Sequence, residues 1–202
     1  MEQLQIPKLH LTHGQVIWVL CRGEEPDEHQ LRQIKDQIRY LRQVGIPFSE
    51  EKRGKGRGNA IRYRFEELVE LGVAVYAMRR GLRPRDIGAF ILPHRGDIHR
   101  LIRQAVTEQP VGALEASWVK SRGKEIPFLS KDISLRLHDR YSETPGRYEL
   151  VTSEEKVRSE DLFSVGEVYA DGAVRPLVPL TRIALELLVW AKEAPDIRPG
   201  RR

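Results

Sequence analysis

Apolar residues in the first half of the chain recur mostly every three or four positions, which is the spacing of helices with one buried face. The clearest example lies within 27–44, where Asp27 is placed to cap the first turn. Its apolar stripe consists of Leu31, Ile34, Ile38 and Leu41. The polar residues between them then lie on the opposite side. The pattern predicts a helix whose outer face is polar and can form hydrogen bonds.

Further helices are predicted on both sides of this segment. Thr12 and Gln15 have the spacing of a capping box before a short apolar run, although that run would suit a strand equally well. Gly81 is placed to stop a longer helix, and Pro93 is expected to separate two short ones because proline lacks the backbone N–H that a helix interior needs. These predicted helices cover 14–21, 65–81, 84–91 and 96–107.

Beyond Pro110 the helical spacing gives way to short apolar segments separated by proline and glycine. Asp171-Gly172 supplies a tight turn for a hairpin, and Pro176 would put the second strand of that hairpin at a sheet edge. The predicted strands cover 148–152, 163–169 and 173–178. We therefore expect an α+β protein with two domains: a mostly helical one at 1–109, and a small α+β domain at 110–202 with a β-hairpin and a final apolar helix.

The final predicted helix, 180–192, is apolar nearly all round. A helix of this kind must bury more than one face. One interpretation is that one flank packs on the hairpin and another, including Leu188, forms the interface of a homodimer. The other is that the helix is simply the core of its own domain.

Positive charge is concentrated in the first half of the chain. Residues 1–109 carry 19 Lys and Arg against 14 Asp and Glu, whereas residues 110–202 carry 15 of each, so the net charge of +5 arises entirely before residue 110. The segment 52–65 contains no acid, and within it Gly54, Gly56 and Gly58 alternate with Lys and Arg. This segment is expected to form a flexible loop or β-wing that binds a polyanion.

Several classes of protein are disfavoured by the sequence. The apolar runs are far shorter than the ~20 residues of a membrane span, and the N-terminus lacks the pattern of a signal peptide, which favours a cytoplasmic protein. A single cysteine, Cys21, excludes a disulfide within the chain. His94 and His99 are five residues apart and lack a completing ligand for a metal. We expect no catalytic residue, cofactor or metal ion.

The order of helix, turn, helix, basic wing and two more helices resembles the DNA-binding domain of the MerR family of bacterial transcriptional regulators. The resemblance covers about residues 12–92. It rests on Ile38-Arg39-Tyr40, Gly45-Ile46, Asn59-Ala60-Ile61-Arg62-Tyr63, Phe65-Glu66-Glu67-Leu68-Val69-Glu70-Leu71 and Arg80-Gly81-Leu82-Arg83-Pro84-Arg85-Asp86-Ile87. Family members continue into a long coiled-coil helix, whereas the predicted helices here stop near Pro110, so a dimer would need another interface.

The resemblance implies a winged-helix module that binds double-stranded DNA. The helix at 27–44 would enter the major groove, where polar side chains read base edges, and the wing would track phosphates. The expected base-reading residues are Gln33, Asp36 and Gln37, with Arg39 and Tyr40 beside them. The expected wing contacts are Arg53, Lys55, Arg57, Arg62 and Tyr63.

These expectations describe a sequence-specific transcriptional regulator that acts as a homodimer at the nucleoid. The C-terminal region would serve dimerisation or would bind an effector or protein partner. Two alternatives use the same basic surface: an architectural DNA-binding factor, such as an excisionase-like or segregation protein, and an interaction module that binds RNA or an acidic partner.

Overall fold

A computed structural model describes residues 4–21, 27–48, 61–109, 132–137, 148–153, 167–168, 174–175 and 177–196 of the 202-residue chain. Its helices in these ranges are α1 (His13–Leu20), α2 (Glu28–Gln43), α3 (Phe65–Arg79), α4 (Pro84–Thr107) and α5 (Leu180–Glu193). Its strands are β1 (Asp132–Leu137), β2 (Tyr148–Ser153), β3 (Glu167–Val168), β4 (Val174–Arg175) and β5 (Leu177–Pro179). The fold class is α+β, as the sequence predicts.

The first three helices begin and end where local sequence signals place them. Thr12 caps α1 in a reciprocal capping box with Gln15, which confirms a helix there and not a strand. Helices α2 and α3 end alike, each with a glycine at positive φ, Gly45 at 93° and Gly81 at 91°. After each glycine the next amide bonds back to the carbonyl five residues earlier, which is the Schellman motif.

Helix α4 corrects the prediction that Pro93 separates two helices. It runs unbroken through this proline for 24 residues. Pro93 lies on the exposed side, and the buried stripe continues past it from Ile91 to Ile98. Proline inside a helix costs about 3 kcal/mol or more, so the packing of a continuous apolar stripe must offset that cost. The stripe consists of Ile87, Ile91, Ile98, Leu101, Ile102 and Ala105.

Helix α3 lies at the centre of the core. Helices α2, α4 and α5 all pack against it, so most of its side chains are buried around the whole circumference. Helix α5 packs tightly on α3 at Gly72, where an added Cβ would lie 2.5 Å from Leu187 Cδ1. Trp190 of α5 also packs edge-on against Trp18 of α1, with ring centroids 6.0 Å apart. The final helix thus belongs to one hydrophobic core with the N-terminal helices.

This packing answers the question left open for the final helix. Leu185 and Leu188 are fully buried within the chain, and Val189 is 7% exposed. The interpretation that Leu188 lies on a free flank for a dimer is therefore wrong, because α1, α3, α4 and β1 of the same chain pack against α5. The alternative, a core helix, agrees with the burial, but its core is shared with the N-terminal helices.

The strands form two small antiparallel sheets among the described residues. Strand β1 lies between β2 and β5, and β3 pairs with β4. The predicted strand at 148–152 is confirmed as β2. Of the predicted hairpin, the antiparallel pairing of β3 with β4 is confirmed, whereas its turn at Asp171-Gly172 and Pro176 lie outside the described residues. The end of its predicted second strand belongs to β5, which pairs with β1. Strand β1 was not predicted from the sequence. It is joined to α5 where the Ile133 amide donates to Thr181 Oγ1 at 2.8 Å.

Candidate nucleic-acid interface

Helix α2 presents a long polar surface to solvent. Asp27 caps its first turn, accepting from the Gln30 amide at 2.7 Å, while the Gln30 side chain accepts from the Asp27 amide. The opposite face of α2 packs on the core through Ile34, Ile38 and Leu41, which are at most 3% exposed. The sixteen residues of α2 span about 24 Å at 1.5 Å per residue. The helix is therefore a rigid rod with one face available for contact.

The structure brings five of the predicted site residues together on this surface. Gln33, Arg39 and Tyr40 are exposed, and Asp36 and Gln37 are partly exposed. Tyr40 is 45% exposed and, with Leu92, is one of two large hydrophobic side chains that are exposed among the described residues. Their positions agree with the sequence prediction for the outer face of the helix.

Three of these side chains form a connected network. Arg39 Nη2 lies 3.2 Å from Asp36 Oδ1, and the Arg39 guanidinium carbon lies 5.2 Å from the centroid of the Tyr40 ring. Exposed ion pairs contribute only about 0–1 kcal/mol to stability. The network therefore orders the surface more than it stabilises the fold, and it holds the planar arginine beside the exposed aromatic ring.

The end of α2 is anchored by a buried ion pair on the neighbouring helices. Glu70 of α3 is fully buried, and Arg95 of α4 donates to both of its carboxylate oxygens at 2.8 and 3.1 Å. The same Arg95 donates at 2.6 Å to the carbonyl of Gly45, just beyond α2. His99 Nε2 lies 2.7 Å from Glu70 Oε2. His99, for which the sequence predicted no metal-binding role, thus contacts the buried carboxylate of Glu70.

A second feature is a groove between the start of α1 and one flank of α2, here called the α1–α2 groove. Its volume is about 280 Å³. It is lined by His13, Lys35, Ile38, Arg39, Arg42 and Gln43. No carboxylate is among these lining residues. Lys35 and Arg42 were not among the site residues predicted from the sequence. A signal for them was present, because the three- and four-residue spacing of one helix face is shared by Arg32, Lys35, Arg39 and Arg42.

Tyr63 lies beside the α1–α2 groove, where it contacts His13, and the prediction that it contacts DNA is wrong. Its side chain is fully buried, with its ring 4.9 Å from that of Phe48, so it cannot touch DNA. Its backbone pairs with Leu11 through two hydrogen bonds of 2.9 Å, which turns the side chain inward. The period-two alternation of Ile61, Tyr63 and Phe65 with exposed arginines was the signal in the sequence for this orientation.

The Tyr63 hydroxyl is bonded to His13 at the edge of the groove. His13 Nδ1 lies 3.1 Å from Tyr63 Oη, and the two ring planes are inclined by 24° with their centroids 6.1 Å apart. Part of the His13 side chain remains exposed, and burial of the rest, followed by the nearby charges of Arg42 and Lys35, lowers the pKa of His13 below its ordinary 6.5. Burial raises the pKa of Tyr63 above 10.0. Both side chains are therefore neutral at pH 7.

The remaining predicted contacts belong to the basic segment. Arg62 is exposed, and its guanidinium donates at 3.4 Å to the carbonyl of His10. Arg53, Lys55 and Arg57 lie outside the described residues. Of the five residues expected to form wing contacts, Arg62 is accessible, Tyr63 is buried, and the other three are not among the described residues.

Other chemistry is not visible in the described part of the chain. There, no three His, Cys, Asp or Glu side chains are grouped so that they could hold a metal ion. Nor does any described helix have the length and apolar character needed to cross a lipid bilayer. Comparisons with protein-family models, with curated proteins and with solved structures gave no match.

Proposed function

We propose that this protein binds double-stranded DNA with α2 in the major groove and acts as a transcriptional regulator of the MerR type. The observation that carries the proposal is the surface of α2: a rigid, capped helix, anchored on one side, which exposes Gln33, Gln37 and Tyr40 beside a row of cations. A helix of this kind fits the major groove, which is about 12 Å wide.

The chemistry of the exposed face divides into two parts. Gln33 and Gln37 carry amide groups that can donate to and accept from base edges, so they would specify sequence. Arg32, Lys35 and Arg42 are long cations that would contact phosphates and set the position of the helix. The network of Asp36, Arg39 and Tyr40 lies between these parts.

The basic segment that follows α2 in the sequence supports the same function. Gly45 and the Arg95 contact fix where the chain leaves α2, and the basic segment at 52–65 follows soon after in the sequence. Its Arg53, Lys55 and Arg57, together with the exposed Arg62, would track the DNA backbone as a wing. Such a role places the protein in the cytoplasm at the nucleoid, and palindromic DNA would be bound by a homodimer whose interface is not the buried flank of α5.

An architectural DNA-binding factor is the second candidate, because the row of cations on α2 binds phosphates without regard to sequence. Selection from a random duplex library distinguishes the two. A consensus that changes when Gln37→Ala is introduced supports a sequence-specific regulator, whereas strong binding without a consensus supports the architectural factor.

The proposal as a whole is tested by the affinity for duplex DNA at increasing salt, measured by fluorescence anisotropy. The slope of log K against log salt is expected to be about −0.9 for each phosphate neutralised, so several contacts give a steep slope. An Arg57→Ala, Arg62→Ala double variant is expected to weaken binding to all sequences alike. Failure of the parent protein to bind duplex DNA at low salt would overturn the proposal.

A further inference from the structure

The guanidinium of Arg39 is held beside a stripe of α2 to which its sequence position does not assign it. By three- and four-residue spacing, Arg39 belongs to the row of cations that includes Arg32 and Lys35. Its Nη2 nevertheless lies 3.2 Å from Asp36 Oδ1, and its guanidinium carbon lies 5.2 Å from the centre of the Tyr40 ring. Asp36 and Tyr40 share the spacing of the glutamines proposed to read bases. The pair and the ring therefore hold a cation at the reading stripe.

Asp36 is an acid on a surface proposed to bind a polyanion. After Glu28 in the first turn, it is the only acid in the sequence of α2. Its side chain is 42% exposed and that of Arg39 is 62% exposed, so both can reach a ligand while they remain paired. An exposed pair contributes little in water, but its attraction becomes stronger where DNA excludes water and lowers the local dielectric constant. The pair is therefore strongest in a complex.

The chemistry of the guanidinium suits a base more closely than a phosphate at this place. Arginine has five N–H donors in a planar fork, and a bidentate contact with guanine O6 and N7 is the commonest specific contact in the major groove. Asp36 engages one Nη atom of Arg39, which leaves enough donors for such a contact. A free arginine loses rotamer freedom when it binds, and the contacts with Asp36 and Tyr40 remove part of that loss in advance.

We propose that Arg39 reads a guanine in the major groove and that Asp36 is the positioning residue that holds its guanidinium for this contact. The inference rests on the proposed function and names a feature of the DNA, a guanine at a fixed position in each bound site. It differs from the sequence prediction for Asp36, because the carboxylate acts through Arg39 and does not contact a base edge.

The competing assignment is that the Asp36 carboxylate itself accepts from the N4 amino group of a cytosine. In that case Asp36 and Arg39 act independently, and the effects of removing them add. If Asp36 only positions Arg39, its removal has no further effect on base preference once Arg39 is gone. A double-mutant cycle therefore separates the two roles.

The test uses the full chain and five proteins: the parent, Arg39→Gln, Asp36→Asn, the double variant and the control Arg32→Gln. Arg32 is also exposed and lies two helical turns before Arg39 in the same row of cations. Each arginine variant removes one positive charge from this row, so only position differs. Circular dichroism and thermal unfolding first establish that each variant is folded. Selection from a random duplex library then gives the consensus, and anisotropy titrations of duplexes that differ at one base pair give the discrimination.

We expect Arg39→Gln to lose the preference for guanine at one position of the consensus, with discrimination there reduced about tenfold or more. Asp36→Asn should reduce discrimination at the same position about threefold. Because it removes a negative charge that faces the DNA, its affinity for unrelated duplexes should rise, a combination that a loss of structure does not produce. The double variant should match Arg39→Gln in base preference. Arg32→Gln should bind all duplexes more weakly and keep the parent consensus.

Each contrary outcome has a distinct meaning. A parent consensus that Arg39→Gln leaves unchanged overturns the inference and leaves the proposed function standing. A change in Asp36→Asn at a separate position, with additive losses in the double variant, overturns the positioning role of Asp36. Binding by the parent without a consensus overturns the inference and supports the architectural factor. Absence of duplex binding by the parent overturns both proposals.

Discussion

The guanidinium of Arg95 on α4 lies against the fully buried carboxylate of Glu70 on α3, with its closest N–O distance at 2.8 Å. The same guanidinium reaches the Gly45 carbonyl at 2.6 Å, so one side chain joins three helices. A buried charge is tolerated only when it is paired and hydrogen-bonded. The end of the proposed reading helix is therefore held by a charge pair that lies on two other helices.

Removal of Arg95 is expected to destabilise the fold strongly. Arg95→Met leaves the Glu70 carboxylate buried and short of donors, which typically costs about 3–5 kcal/mol. The control is Arg103→Met, since Arg103 also links α4 to α3 through Glu66 but is 55% exposed. That change should cost at most about 1 kcal/mol. Urea unfolding of both variants checks the prediction, and equal losses would contradict it.

The close approach of α3 and α5 at Gly72 predicts a second loss of stability. Gly72→Val places a branched side chain where Leu187 Cδ1 and Ile183 Cγ2 already lie 2.5 and 3.4 Å from a Cβ. Overpacking of this kind typically costs about 1–3 kcal/mol. Gly96→Val is the matched control, because an added Cβ there meets nothing within 4 Å. If thermal unfolding shows the two variants alike, α5 does not pack on α3 as the structure has it.

The lowered pKa of His13 predicts a loss of stability in acid. The unfolded chain binds a proton at His13 near pH 6.5, whereas the folded chain binds it only at lower pH. Stability from this group is therefore complete above about pH 6.5 and falls as the pH drops toward the folded-state value. The groups that face it are the Tyr63 hydroxyl, Lys35 and Arg42, with Glu67 close to Tyr63. As the pH decreases, the free energy of unfolding of the His13→Gln variant should therefore decrease less than that of the parent protein.

Sequence preference is expected to depend on the amides of α2. Gln37→Ala removes a side chain that can form a bidentate contact with adenine, worth about 1–3 kcal/mol of discrimination. Selection from a random duplex library should return a changed consensus, whereas Lys35→Gln should lower affinity and keep the parent consensus. An unchanged consensus for Gln37→Ala, Gln33→Ala and Asp36→Ala together would remove α2 as the reading helix.

Prediction from sequence succeeded where a signal is local and regular. The stripe from Ile34 to Leu41 predicted α2 and its exposed face, and Asp27 predicted where it begins. It failed at Pro93, because local propensity indicated a break while packing on both sides kept α4 intact. It also misplaced Tyr63, whose orientation follows from its pairing with Leu11, 52 residues earlier in the chain.

The sequence by itself determined that α2 is a capped helix with one apolar stripe and a polar, cation-bearing face, because those properties depend on residues at most one or two helical turns apart. Only the tertiary structure decided that Arg42 lies beside His13, that Arg95 neutralises Glu70, and that α5 is buried. These relationships join segments distant in the chain. They are set by how helices pack, which no local spacing of residues encodes.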